Sequence, residues 1–125
     1  MKKVLAAAAM LALSTGSAFA ADWKPDGPIR LWIGYGAGGG TDVQARMLAK
    51  ELEQTRGWIL VPENKSGEDG AVMSAQLKNE APDGQTLGFA ITTTYNFAPM
   101  NSDNISPEDF TYITTTAGSQ MAVLA

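Results

Sequence analysis

Two stretches of this chain carry residues that can do chemistry without a charged side chain. The first is Tyr35-Gly36-Ala37-Gly38-Gly39-Gly40-Thr41-Asp42, which follows the run Leu31-Trp32-Ile33-Gly34 and opens directly into a helical pattern. Glycines let the backbone take φ > 0 and bring bare N–H groups close to a ligand. The helix behind them has its first N–H groups unpaired and its positive dipole end turned toward the loop. Together these bind an anion without a basic side chain. The second stretch is Thr92-Thr93-Thr94-Tyr95-Asn96-Phe97. Its hydroxyls and amide can donate to a carboxylate without adding charge. The same threonines would also serve as strand formers or helix caps.

The glycine loop fits two functional readings. Gly34-x-Gly36-x-x-Gly39 matches the dinucleotide fingerprint, with Glu63 near the place of a ribose-binding acid. Alternatively, it belongs to an extracytoplasmic binding protein that grips a ligand carboxylate. A P-loop fits poorly, because no Lys follows the glycines. Strand–loop–helix turns rich in glycine are also common, so the loop alone does not decide.

The N-terminus does most of the deciding. Lys2 and Lys3 form a basic start, Val4 to Leu13 an apolar stretch, and Ala18-Phe19-Ala20 a small-x-small cleavage site. Residues 1–20 therefore read as a secretory signal peptide cut after Ala20, and the apolar run is too short to span a membrane. No Cys follows the cut, which excludes a lipoprotein anchor. An exported protein has little use for NAD. Asp42 adds to the case against it, since a carboxylate in the first helical turn competes with a pyrophosphate for the dipole. The chain has no Cys and no His, which removes disulfides, Ser-His and Cys-His catalysis and most zinc sites. It carries 9 basic and 13 acidic residues; without Lys2 and Lys3 the balance is 7 against 13, or −6. That acidity argues against nucleic acid and anionic membranes as partners.

The elements that must position these stretches alternate. Ile29 to Ile33 is a nearly continuous apolar run, as in a buried parallel strand. Thr41 with Gln44 forms a capping-box pattern, Val43, Met47, Leu48 and Leu52 supply an apolar helix side, and Arg56-Gly57 is a stop. Ile59-Leu60-Val61 reads as a second strand closed by Pro62. A polar loop from Glu63 to Gly67, a weaker helix over roughly Asp69 to Asn79, the turn Pro82-Asp83-Gly84 and a third strand over Thr86 to Ile91 follow. This order implies right-handed crossovers and an α/β fold with parallel strands, placing both chemical stretches at one carboxyl edge. Ser106-Pro107-Glu108-Asp109-Phe110 reads as a capped turn, and Thr111 to Thr116 and Met121 to Leu124 as strands. The chain stops at Ala125 within an apolar run, so it reads as a fragment.

Pro28-Ile29-Arg30-Leu31, Ala37-Gly38-Gly39-Gly40-Thr41-Asp42, Glu63-Asn64, Ala81-Pro82-Asp83-Gly84-x-Thr86 and Asp109-Phe110-Thr111 stand in the order and spacing of a known family. The chain resembles the leading part of a Bug-type (tripartite tricarboxylate transporter) substrate-binding receptor. The resemblance implies a two-lobed periplasmic binding protein of type II, with residues 21–125 forming the N-terminal part of its first lobe. It implies that the ligand carboxylate is held by two loops. The first supplies Tyr35, Ala37, Gly38, Gly39, Gly40, Thr41 and Asp42, largely through main-chain N–H groups. The second supplies Thr92, Thr93, Thr94 and Asn96. The family usually has Pro-Phe where this chain has Gly34-Tyr35, and Asn-Arg-Pro-Gly-Ala-Gly-Gly where it has Asn64-Lys65-Ser66-Gly67-Glu68-Asp69-Gly70. An aromatic residue is common where Gln85 stands. The expected function is capture of a small carboxylate metabolite in the periplasm by a receptor, monomeric at full length. It delivers the ligand to the membrane subunits of a tripartite transporter, with no cofactor, metal or catalysis. A receptor that presents ligand to a sensor kinase is the nearest alternative, and a dinucleotide-binding oxidoreductase a more distant one.

Overall fold

The computed structural model describes residues 23–94 and 105–118. The expected signal peptide, Asn96 and the strand expected over Met121 to Leu124 lie outside the described residues.

Three parallel strands, β1 (Ile29–Ile33), β2 (Leu60–Asn64) and β3 (Thr86–Phe89), form a sheet in the order β2-β1-β3. Helix α1 (Gly40–Arg56) joins β1 to β2, and the short helix α2 (Ala71–Leu77) lies between β2 and β3. The central place of β1 follows from its composition, since alternate residues are apolar on one face and Trp32 is buried on the other. Ile29, Leu31 and Ile33 are almost fully buried and pack with Ala45, Ala49 and Leu60, bordered by Leu52, Trp58, Leu87 and Phe89. Each such aliphatic side chain contributes roughly 2 kcal/mol by leaving water. The expected strand, α/β class and parallel direction are thus all present.

Several boundaries and faces differ from expectation. α1 begins at Gly40 with Gly39 as its cap, and no side chain caps it, so the proposed Thr41–Gln44 box does not form. Its buried residues are Asp42, Ala45 and Ala49, while Val43 and Met47 are exposed. Small alanines let the helix lie close to the sheet, and Asp42 must face inward to reach its partners. That rotation carries the larger apolar residues outward. The expected stop is present: Gly57 takes a left-handed φ of 68°, and its N–H turns back to Glu53 and Leu52.

Pro62 lies inside β2 rather than ending it. β2 borders the described sheet, and the ladder to β1 uses the Ile59 carbonyl and the Lys65 N–H. In a parallel ladder alternate residues face the neighbour, so the nitrogen of Pro62 points away from β1 and no bond is lost. β3 ends at Phe89, two residues before the expected end. Residues 111–116 are exposed and lie in no strand, having no ladder partner among the described residues. The turn at Pro107–Asp109 forms as expected, with the Ser106 N–H donating to Asp109 Oδ2 at 2.9 Å.

Candidate functional site

The loops leaving the carboxyl ends of β1, β2 and β3 meet at one rim. The β1 loop runs from Gly34 to Gly39, and its residues 36–39 are exposed. Gly38 takes φ 80°, which L side chains adopt only at a cost, whereas Gly39 sits at an ordinary φ of −74°. A side chain at Gly39 would instead meet the Gly36 carbonyl at 3.3 Å. Behind the loop, the N–H groups of Gly40, Thr41 and Asp42 open α1 and have no acceptor within the helix.

The Asp42 side chain, 4% exposed, holds this loop from beneath. Its Oδ2 accepts the Gly38 N–H at 2.9 Å, and its Oδ1 accepts Arg46 Nε at 2.9 Å and Asn64 Nδ2 at 2.9 Å. Asn64, at the end of β2, also donates to the Tyr35 carbonyl at 3.0 Å and accepts Arg46 Nη2 at 3.0 Å. The Arg46 bond, then those from Gly38 and Asn64, hold the Asp42 carboxyl well below its ordinary value of 3.8. Asp42 thus supports the loop as a fixed anion balanced by Arg46, and its carboxylate has no donor to give a ligand.

A second cluster joins the other two loops. The Tyr35 hydroxyl lies 2.9 Å from the Asp69 carbonyl and 2.8 Å from Thr94 Oγ1, and Thr94 Oγ1 lies 2.8 Å from the same carbonyl. Two hydroxyl protons serve three edges, so two edges carry a hydrogen bond at any instant. Asp69 belongs to a turn in which Gly67, Glu68, Asp69 and Gly70 all have positive φ. A left-handed conformation costs non-glycine residues about 1–2 kcal/mol each. The cluster is tight: a Cβ on Gly34 would lie 3.1 Å from Gly70 Cα, and one on Gly70 would lie 2.9 Å from Thr94 Oγ1.

The structure therefore sorts the residues singled out by sequence. Gly38, Gly39, Gly40, Thr41 and Asp42 gather at the start of α1, with Ala37 exposed beside them. Tyr35 and the fully buried Thr94 face each other across the rim, their hydroxyls engaged internally. Thr92 and Thr93 are exposed. Glu63, the candidate ribose acid, is exposed and pairs with Lys65 at 3.0 Å. Sequence reasoning missed the roles of Arg46, Asn64 and the Asp69 carbonyl. The i,i+4 spacing of Asp42 and Arg46 was a visible sign of the first; nothing in the sequence marks a main-chain carbonyl as a hub. Among the described residues, no group of three or more acidic side chains is placed to hold a metal ion.

No family model matches the chain. It is 38% identical over 117 residues to the UPF0065 protein of the gbd 5' region of Cupriavidus necator, covering 92% of this chain and 36% of that protein. It is 34% identical over 89 residues to protein BugT of Bordetella pertussis, covering 70% of this chain and 27% of BugT. A solved structure described as a periplasmic transporter superposes with a TM-score of 0.61 at 33% identity, over 68% of this chain and 29% of that one. The chain spans about a third of the length of the curated relatives it matches.

Proposed function

We propose that this chain, which belongs to the Bug family of periplasmic binding proteins, forms part of a receptor that captures a small carboxylate in the periplasm. The full-length receptor hands its ligand to the membrane subunits of a tripartite tricarboxylate-type transporter and works by binding rather than catalysis. One observation supports the carboxylate reading above the others. The side chains of Asp42, Arg46 and Asn64 are engaged with one another, as are the hydroxyls of Tyr35 and Thr94, while the N–H groups at the start of α1 stand behind an exposed glycine loop. Such a rim favours an anion through main-chain dipoles. The exposed Thr92 and Thr93 add neutral donors at the same edge.

Calorimetry on the full-length protein with mono- and dicarboxylates, each beside its primary amide, tests the reading. A carboxylate is expected to bind at least tenfold more tightly than its amide, about 1.4 kcal/mol. Equal binding of acid and amide would overturn it. Expression in a Gram-negative host with intact-mass analysis tests the compartment. Cleavage after Ala20 is expected, and retention of Met1 to Ala20 would contradict export.

A further inference from the structure

The hydroxyl triangle of Tyr35, Thr94 and the Asp69 carbonyl does more than fill space between loops. Tyr35 immediately precedes the exposed glycines and is anchored at both ends. Its carbonyl accepts Asn64 Nδ2 from β2, and its hydroxyl meets the left-handed turn at Asp69 and the buried Thr94 beyond β3. Glu68 and Asp69 hold φ values of 46° and 51°, so the turn needs outside contacts to keep its shape. The two hydroxyls supply them at a single carbonyl oxygen. Gly38 is tied in from the other side through Asp42 and Asn64. A continuous path therefore runs from the Thr94 hydroxyl through the Asp69 carbonyl, Tyr35, Asn64 and Asp42 to the Gly38 N–H.

We infer that Tyr35 and Thr94 are positioning residues, whose paired hydroxyls on the Asp69 carbonyl fasten the three strand-end loops into one unit and set the glycine loop for its ligand. This rests on the carboxylate-receptor reading for its consequence, but the coupling itself can be measured without ligand. Main-chain amide exchange in the ligand-free full-length protein has two reporters: Gly70, whose N–H bonds the Gly67 carbonyl, and Gly38, whose N–H bonds Asp42. Tyr35→Phe and Thr94→Val are each expected to speed exchange about three- to tenfold at both reporters, the effect of losing one hydrogen bond. Leu31 and Ile33 in β1 should keep their protection, and Thr94→Ser, which retains the hydroxyl, should behave as wild type. If Thr94→Val fails to fold, Tyr35→Phe, which removes one atom at the rim, decides alone. Faster exchange at Gly70 with Gly38 unchanged would overturn the coupling, as would a uniform increase that includes β1 or a Thr94→Ser variant that matches Thr94→Val. Failure of wild-type protein to bind any carboxylate would sink the receptor reading and leave this result standing.

Discussion

The two clusters at the rim solve the same problem with different chemistry. Around Asp42, a buried carboxylate gathers a main-chain N–H, a guanidinium and an amide. Around Asp69, a neutral main-chain carbonyl gathers two hydroxyls. The first depends on a charge and fails when that charge is neutralised. The second has no proton to gain in acid and depends on geometry alone, because it restrains a turn with four consecutive positive φ values. Together they engage the side chains of Asp42, Asn64, Tyr35 and Thr94 within the protein, while Thr92 and Thr93 stay exposed at the same rim.

Asp42→Ala should break the first cluster and cause the largest loss of stability among changes at the rim. It leaves the Gly38 N–H, the Asn64 amide and the Arg46 guanidinium short of an acceptor. Urea denaturation at neutral pH would show the lowest midpoint for this variant. Acid should separate the two clusters. The folded state holds the Asp42 carboxyl below its ordinary 3.8, so the unfolded chain binds the extra proton first as pH falls. The stability Asp42 contributes is therefore complete above that value and is lost as pH drops below it. Asp42→Asn should flatten the acid limb of the stability profile, whereas Tyr35→Phe should shift the whole profile without changing its slope there.

Two glycine substitutions sharpen the contrast further. Gly70→Ala combines φ 89° with a Cβ 2.9 Å from Thr94 Oγ1, and should cost about 2–4 kcal/mol of unfolding free energy by denaturant titration. Gly38→Ala meets a similar φ of 80° in open space, so only the backbone term remains, about 1–2 kcal/mol. Equal costs would mean that the second cluster is not tightly packed. Lys65→Ala should have the smallest effect, below about 1 kcal/mol, because its partner Glu63 is 53% exposed, although Lys65 also lies 4.4 Å from the Trp32 ring.

Much of the scaffold is legible in the sequence, because β1 and the end of α1 are set by local signals that tertiary packing does not oppose. The nearly continuous apolar run at Ile29–Ile33, interrupted only by Arg30, and the Arg56-Gly57 stop lie where the pattern puts them. The face of α1 is not legible by hydrophobicity, since the buried set includes an ionised Asp42 and two alanines in preference to Val43 and Met47. The glycine loop announces itself by composition, yet which glycine needs φ > 0 is decided by the Asp42 bond to Gly38, a contact outside any glycine motif. The threonines illustrate the limit well. Thr92, Thr93 and Thr94 are equivalent as letters, but Thr94 alone is buried, packed against Gly70 and bonded to Tyr35. Two of the stretches that depart from the resemblance, Gly34-Tyr35 and Asn64 to Gly70, meet each other in the structure through the Tyr35 hydroxyl and the Asp69 carbonyl.

In the proposed receptor, main-chain N–H groups at the start of α1, and no basic side chain, hold the ligand's anionic group. Calorimetric affinities of full-length Gly39→Val and Lys65→Ala variants for the tightest-binding carboxylate test it most directly. Gly39→Val keeps an accessible φ of −74° but places its Cβ against the Gly36 carbonyl at 3.3 Å, crowding the loop without removing a charge. The expected result is a loss of at least tenfold, about 1.4 kcal/mol, for Gly39→Val, with Lys65→Ala near wild type. Unchanged affinity in Gly39→Val together with abolished binding in Lys65→Ala would show that a cation, and not the main chain, holds the ligand.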